Sequence, residues 1–216
     1  YNRGTGDYLI AFALPVDPKH DPPRTIPWPL RDVKQAVTAH EVLDDGRIHL
    51  TNEHRPLPGV TTEMLAWWYR VLPLGMVQFD GALRPLYHLF HPTEHGRIWV
   101  EAAAADGKPG IGAGGVVARY EWFGPYDSEG AARVIELSSR RFVTRPRVAG
   151  VTIGELCHDW SDSTQGAAYT VDTVIGVDWP VVGPLVNFLL RRYVFSEGML
   201  REWKRHQVEE VGLLPH

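Results

Sequence analysis

The sequence predicts an α+β fold in which a curved antiparallel sheet wraps a long C-terminal helix, with a cavity between them. Three observations carry this. From about residue 86 to 176, β-prone segments follow one another across short turns, and short connections between consecutive strands imply antiparallel pairing. After Gly183, apolar residues recur at helical spacing to the end of the chain. Residues 59–70 form a separate helical segment ahead of the strands.

In chain order, residues 1–35 are rich in proline, with Pro15, Pro18, Pro22, Pro23, Pro27 and Pro29. Only residues 8–14 look strand-like, so the rest should be an extended arm over the body. Residues 36–58 are polar, with Asp44-Asp45-Gly46 as a turn between two short strands. The expected division is therefore an arm with short strands over 1–58 and one domain over 59–216. Thr61 is placed to cap the helix that follows, and Glu63 lies in its first turn, where the dipole favours an anion. Leu65, Trp68 and Tyr69 share one face, and Pro73 ends the helix.

Strands are predicted over 98–101, 116–123, 133–142, 148–158 and 167–177. The separating turns are Asp106-Gly107, residues 110–115 and residues 159–166, which make Asp159, Asp162 and Ser163 solvated turn residues. Gly183-Pro184 opens the closing helix, and Leu185, Phe188, Leu189, Val194, Met199, Trp203 and Val208 are its apolar periodicity. Ser196-Glu197-Gly198 kinks or splits it, and Gly212 to Pro215 ends it.

Composition narrows the function. The formal net charge is −4 with no basic block, which argues against nucleic acid as a partner. The single cysteine, Cys157, excludes an internal disulfide framework, suits a reducing, cytoplasmic compartment, and reads as a buried small hydrophobe. Residues 181–190 are too short to cross a bilayer and are broken by Gly183, Pro184 and Asn187, so no membrane is expected. The chain opens on Tyr1 rather than Met, which leaves room for a preceding segment. The proline-rich arm could clasp the partner of a homodimer.

Three groups of residues could do chemistry. His206 and Glu210 are four apart, so a helix projects both from one face, where an imidazole nitrogen and a carboxylate oxygen can share a zinc ion. The same spacing is that of an ordinary surface ion pair. The stretch 87–95, Tyr-His-Leu-Phe-His-Pro-Thr-Glu-His, offers His91 or His95 as a further ligand, with His88 the poorest candidate. Glu121 sits in an apolar strand, where a carboxylate must be paired or metal-bound. Pairing with Arg119 or Arg133 is the plain alternative, and Glu101 is a weaker rival ligand.

These residues carry a resemblance. In order, the chain resembles the diacetylphloroglucinol and phloretin hydrolases at residues 59–68, at 87–95 (the family's Tyr-x-Leu-Trp-His-Pro-x-Asp-His), at 113–124 ending Glu-Trp-Phe-Gly, and at His206-x-x-x-Glu210 with its following Leu-Leu-Pro. Phe90 and Glu94 stand where the family has Trp and Asp, and the interval from His95 to Glu121 is shorter than the family's. The resemblance implies a helix-grip fold, like that of birch pollen allergen and START domains. It implies a zinc enzyme that hydrolyses the carbon–carbon bond between an acyl group and a phenolic ring. The implied zinc ligands are His95, Glu121, His206 and Glu210, and the substrate is a small aromatic ketone. In such chemistry the ring carbon is protonated, water attacks the carbonyl, and a carboxylic acid and a deacylated phenol leave. Tyr87, His158 and Tyr169 are the candidates for binding the phenol or moving a proton, although each also reads as an ordinary core residue. A non-hydrolytic helix-grip protein that binds or cyclises an aromatic polyketide-like ligand is the alternative.

Overall fold

The computed structural model describes residues 23–216 except Ala149. The strand-like segment 8–14 and three of the arm's six named prolines, Pro15, Pro18 and Pro22, lie outside these residues. The part of the arm that is described does lie over the body. The Arg24 backbone N–H donates to Pro92 O at 2.9 Å, and Trp28 stacks on His216.

The strands are β1 (Val37–Val42), β2 (Ile48–Glu53), β3 (Met76–Phe79), β4 (Ala82–Pro85), β5 (His95–Ala102), β6 (Val116–Phe123), β7 (Tyr126–Leu137), β8 (Arg141–Val148), β9 (Val151–Thr152), β10 (Gly154–Ser163) and β11 (Gly166–Ile175). The helices are α1 (Thr62–Val71), α2 (Leu86–Phe90), α3 (Gly183–Tyr193) and α4 (Glu197–Leu213). One antiparallel sheet runs in the order β1-β2-β11-β10-β8-β7-β6-β5, with β9 paired to β8. With α4 packed across it, this is the α+β helix-grip arrangement. β2 pairs with both β1 and β11, so the sheet crosses the expected boundary at residue 58.

The local signals explain much of this. Thr61 accepts from Met64 N and caps α1, which buries Leu65 and Tyr69. Ser196 accepts from Met199 N, so the closing helix divides there into α3 and α4. Buried Met199, Leu200, Trp203 and Val208 lie on α4.

Several elements differ from the sequence reading. Residues 86–90 form α2 rather than strand, a single short turn after Pro85 whose buried side chains are Tyr87 and Phe90. The predicted strand 133–142 is cut by the turn at 138–140, where the Ser138 hydroxyl accepts from Arg140 N and Arg141 N. β10 runs on to Ser163, so the turn before β11 is only Thr164-Gln165. Asp159 is a strand residue paired with Arg141 at 2.9 Å, and Asp162 accepts from Thr62 N and its hydroxyl, pinning the start of α1. The β3–β4 hairpin turns on Asp80-Gly81, both at positive φ (51° and 71°).

α3 departs most from expectation. Leu185, Phe188 and Leu189 face solvent. The helix is anchored instead by buried Asn187, which accepts from Val177 N at 2.8 Å and donates to Asp45 O at 2.9 Å and Val177 O at 3.0 Å. A satisfied buried amide fixes a helix without an apolar stripe. Cys157 is half-buried rather than buried, and partial burial with Glu155 nearby pushes its thiol up to about 11. No helix among the described residues is long and apolar enough to cross a membrane.

Candidate metal centre

The β5–β6 register sets His95 directly opposite Glu121. α4 lies above them and turns His206 and Glu210, one helical turn apart, to the same point. All four side chains are buried. His95 Nε2 lies 3.2 Å from His206 Nε2, 3.3 Å from Glu210 Oε2 and 3.8 Å from Glu121 Oε2. His206 Nε2 lies 3.7 Å from Glu210 Oε2. Ligand atoms ~2.0–2.1 Å from a tetrahedral zinc ion stand ~3.3 Å apart. The donor atoms of His95, His206 and Glu210, all within 4.8 Å of one another, could hold a single zinc-sized cation, and Glu121 Oε2 stands beside them at 3.8 Å from His95 Nε2.

The hydrogen bonds favour the same reading. His95 Nδ1 lies 2.8 Å from Tyr87 O, an atom that can only accept, so Nδ1 carries the proton. His206 Nδ1 lies 2.8 Å from Glu94 Oε2 and donates to that carboxylate. Each Nε2 is then a bare lone pair, and the two point together with carboxylate oxygens toward one position. A carboxylate or carbonyl behind a histidine is the usual orienting partner of a metal-binding imidazole. Without a cation, burial is the main reason His95 is pushed down to about 4 and His206 well below its ordinary value. Burial first, and then Glu121, push Glu210 well above the usual carboxylate range.

Glu121 does two things at once. Its Oε1 accepts from Arg119 Nε at 2.5 Å, while its Oε2 accepts from the Tyr87 hydroxyl at 2.6 Å and faces His95. The Arg119 ion pair that the sequence offered as the plain alternative forms, and it leaves the second carboxylate oxygen facing His95. Tyr87 also stacks on the His95 ring, centroids 3.8 Å apart, and burial followed by Glu121 raises its hydroxyl well above its normal range. Its hydroxyl is committed to Glu121, so Tyr87 positions that carboxylate.

The rival ligands lie elsewhere. His91 accepts from Glu94 N at Nδ1 and lies 3.0 Å from Glu209 Oε2 at Nε2, so both its nitrogens are engaged. It stacks on His206 with centroids 4.4 Å apart. His91, Glu94 and His206 also cluster, but Glu94 already accepts from Gly124 N, Arg205 and His206. Glu101 is exposed. His88 lies 2.7 Å from Gly96 O.

The centre opens into an apolar cavity. Tyr69, Phe90, Phe142, Phe123 and Trp203 supply aromatic walls, and Tyr87, Glu121, His206 and Glu210 share the lining with them. His158 lines the cavity too, while Tyr169 stands behind Tyr69. The Tyr169 hydroxyl bonds to the Tyr69 hydroxyl and lies 2.8 Å from His158 Nδ1. Burial, then Arg119, pushes His158 down to about 3, so this chain of three groups is neutral.

The sequence reading missed Tyr69 as a cavity group and Glu94 as the carboxylate behind His206. Tyr69 was visible only as part of α1's apolar face. Glu94 was visible only as a substitution within the His-Pro motif.

No family model matches the chain, and no curated protein does. Among solved structures it is similar to the protein Ms6760 from Mycobacterium smegmatis, at 10% identity over 85% of this chain and 96% of that one, TM-score 0.47. A START superfamily protein from the same organism matches at 14% identity, covering 81% and 95%, TM-score 0.47. CalU16 from Micromonospora echinospora matches at 11% identity, covering 83% and 97%, TM-score 0.40.

Proposed function

We propose that this protein is a zinc-dependent hydrolase that cleaves the carbon–carbon bond between an acyl group and a phenolic ring. The observation that carries the reading is the convergence of two deprotonated Nε2 atoms and the Glu210 carboxylate within 3.2–3.7 Å of one another, with His206 and Glu210 lining an aromatic cavity. His95, Glu121, His206 and Glu210 would hold the ion. A zinc ion there would supply Lewis acidity toward a ketone oxygen or an attacking water.

The chain's own groups divide the remaining work. Tyr87 holds Glu121 in place. The aromatic walls take a flat ring and exclude water. Tyr69, backed by Tyr169 and His158, forms a neutral hydrogen-bonded relay at the cavity wall that can lend a proton to the ring carbon. One water is consumed, its hydroxyl goes to the acyl carbon, and a proton replaces the acyl group on the ring. The products are a carboxylic acid and a deacylated phenol.

The second reading is a non-hydrolytic helix-grip protein that binds or cyclises an aromatic polyketide-like ligand. The apolar, aromatic-lined cavity favours it as well, because nothing in such a cavity requires hydrolysis. A panel of acylphenols, followed by loss of aryl-ketone absorbance with zinc-loaded protein, separates the two. The hydrolase reading expects turnover of at least one member that His206→Ala abolishes. Tight binding without turnover of any member favours the carrier or cyclase.

A further inference from the structure

Two guanidinium groups stand near the metal centre: Arg205, behind His206, is spent on Glu94, Glu202 and Glu209, whereas Arg119 lines the cavity beside Glu121, and its charge is not matched once a divalent ion takes up that carboxylate. On β6, Val117, Arg119, Glu121 and Phe123 project to the cavity side. The Arg119 Nε is spent on Glu121 Oε1, and its NH2 reaches Ser128 Oγ at 3.5 Å. Its NH1 has no partner among the described residues. The side chain keeps 31% of its surface accessible although the residue lines the cavity, so that surface faces the cavity space.

The charge balance then depends on the metal. If Glu121 and Glu210 ligate a divalent ion, they cancel it, and Arg119 remains as a surplus positive charge beside an apolar chamber. Glu129 and Arg147 also line the cavity, but they carry opposite signs and are engaged with Arg97 and with Gly150 O. A buried charge without a counter-charge is costly, so such a chamber favours a monoanionic occupant. Without the ion, the Glu121 carboxylate alone offsets Arg119 and the preference is lost.

We infer that Arg119 is an anion-docking residue that selects the ionised form of an acylphenol, with its free guanidinium edge on the phenolate oxygen. This rests on the zinc-centre reading and deepens it, because it assigns the charge state of the substrate. A phenolate also carries more of the ring electron density that protonation of the acyl-bearing carbon requires.

The test is calorimetric titration at neutral pH with 2-hydroxy-5-nitroacetophenone, which is ionised there, and 3-nitroacetophenone, the same ring without the hydroxyl. Zinc content is measured on every sample. Zinc-loaded wild-type protein should prefer the phenolate, and removing the metal should abolish that preference. Arg119→Met should cut the preference by on the order of tenfold, the loss expected for a charge-assisted hydrogen bond. An unchanged preference in zinc-loaded Arg119→Met overturns the assignment. Should that variant fail to fold or to hold zinc, Arg119→Lys decides. An ammonium keeps the charge but lacks the planar fork, so the preference should fall severalfold, and an unaltered preference again overturns it. Wild-type protein that takes up no zinc overturns the centre itself along with this inference, whereas zinc-loaded protein indifferent to Arg119 overturns the inference alone.

Discussion

The Nε2 atoms of His95 and His206 face each other at 3.2 Å, and in each ring the other nitrogen donates, to Tyr87 O and to Glu94 respectively. Neither Nε2 therefore has a proton to share. Two lone pairs at hydrogen-bond distance repel unless a cation lies between them. The relationship depends on β5 and α4 being held in register by residues outside the cluster.

Glu94 is the first of these. Its Oε2 orients His206, and its Oε1 accepts from Gly124 N at 2.8 Å. Glu94→Gln keeps the size and most of the geometry but weakens the bond that makes the imidazole basic. Zinc affinity should fall about 10–100-fold with the fold intact, as measured by competition with a chromophoric chelator. Unchanged affinity would mean that Glu94 merely packs.

The pH dependence of stability gives a second test, best read on metal-free protein with His54. Neither nitrogen of buried His54 has a partner among the described residues, and burial, then Arg31, pushes it down to about 3. The unfolded ring titrates near ~6.5. Its contribution is thus fully present above ~6.5 and is lost as the pH falls toward 3, at roughly 1.4 kcal/mol per pH unit. Urea unfolding between pH 7 and 4 should show a slope shallower by about that amount in His54→Phe. Equal slopes in variant and wild type would show that the ring is not held neutral.

Val181 provides a test independent of the site. It is β-branched, sits at φ +68°, and is 94% exposed, so it suffers strain with no packing in return. Val181→Gly should raise stability by about 1 kcal/mol in urea unfolding. A loss would mean that the side chain makes a contact this geometry lacks.

How much of this the sequence carried follows from the range of each signal. Thr61, Ser196 and the β6 alternation are local, and the structure keeps them. α2 is too short to display a helical period, so its five residues read as strand. The Asp80-Gly81 pair is a local hairpin signal, and the structure turns on it with both residues at positive φ. His206 and Glu210 stand out because four-residue spacing is local to a helix, whereas Glu94 reaches His206 from 112 positions away. The exposed face of α3 was misread because apolar periodicity alone cannot tell whether a partner layer exists, and Asn187, which anchors the helix, looked like an interruption.

The most direct test is an anomalous-scattering map collected at the zinc edge, on crystals of protein purified without added metal. One strong peak bounded by His95, Glu121, His206 and Glu210 is the predicted result, absent from His206→Ala and Glu210→Ala crystals of the same fold. No peak at that position, or full metal content in both variants, would contradict it.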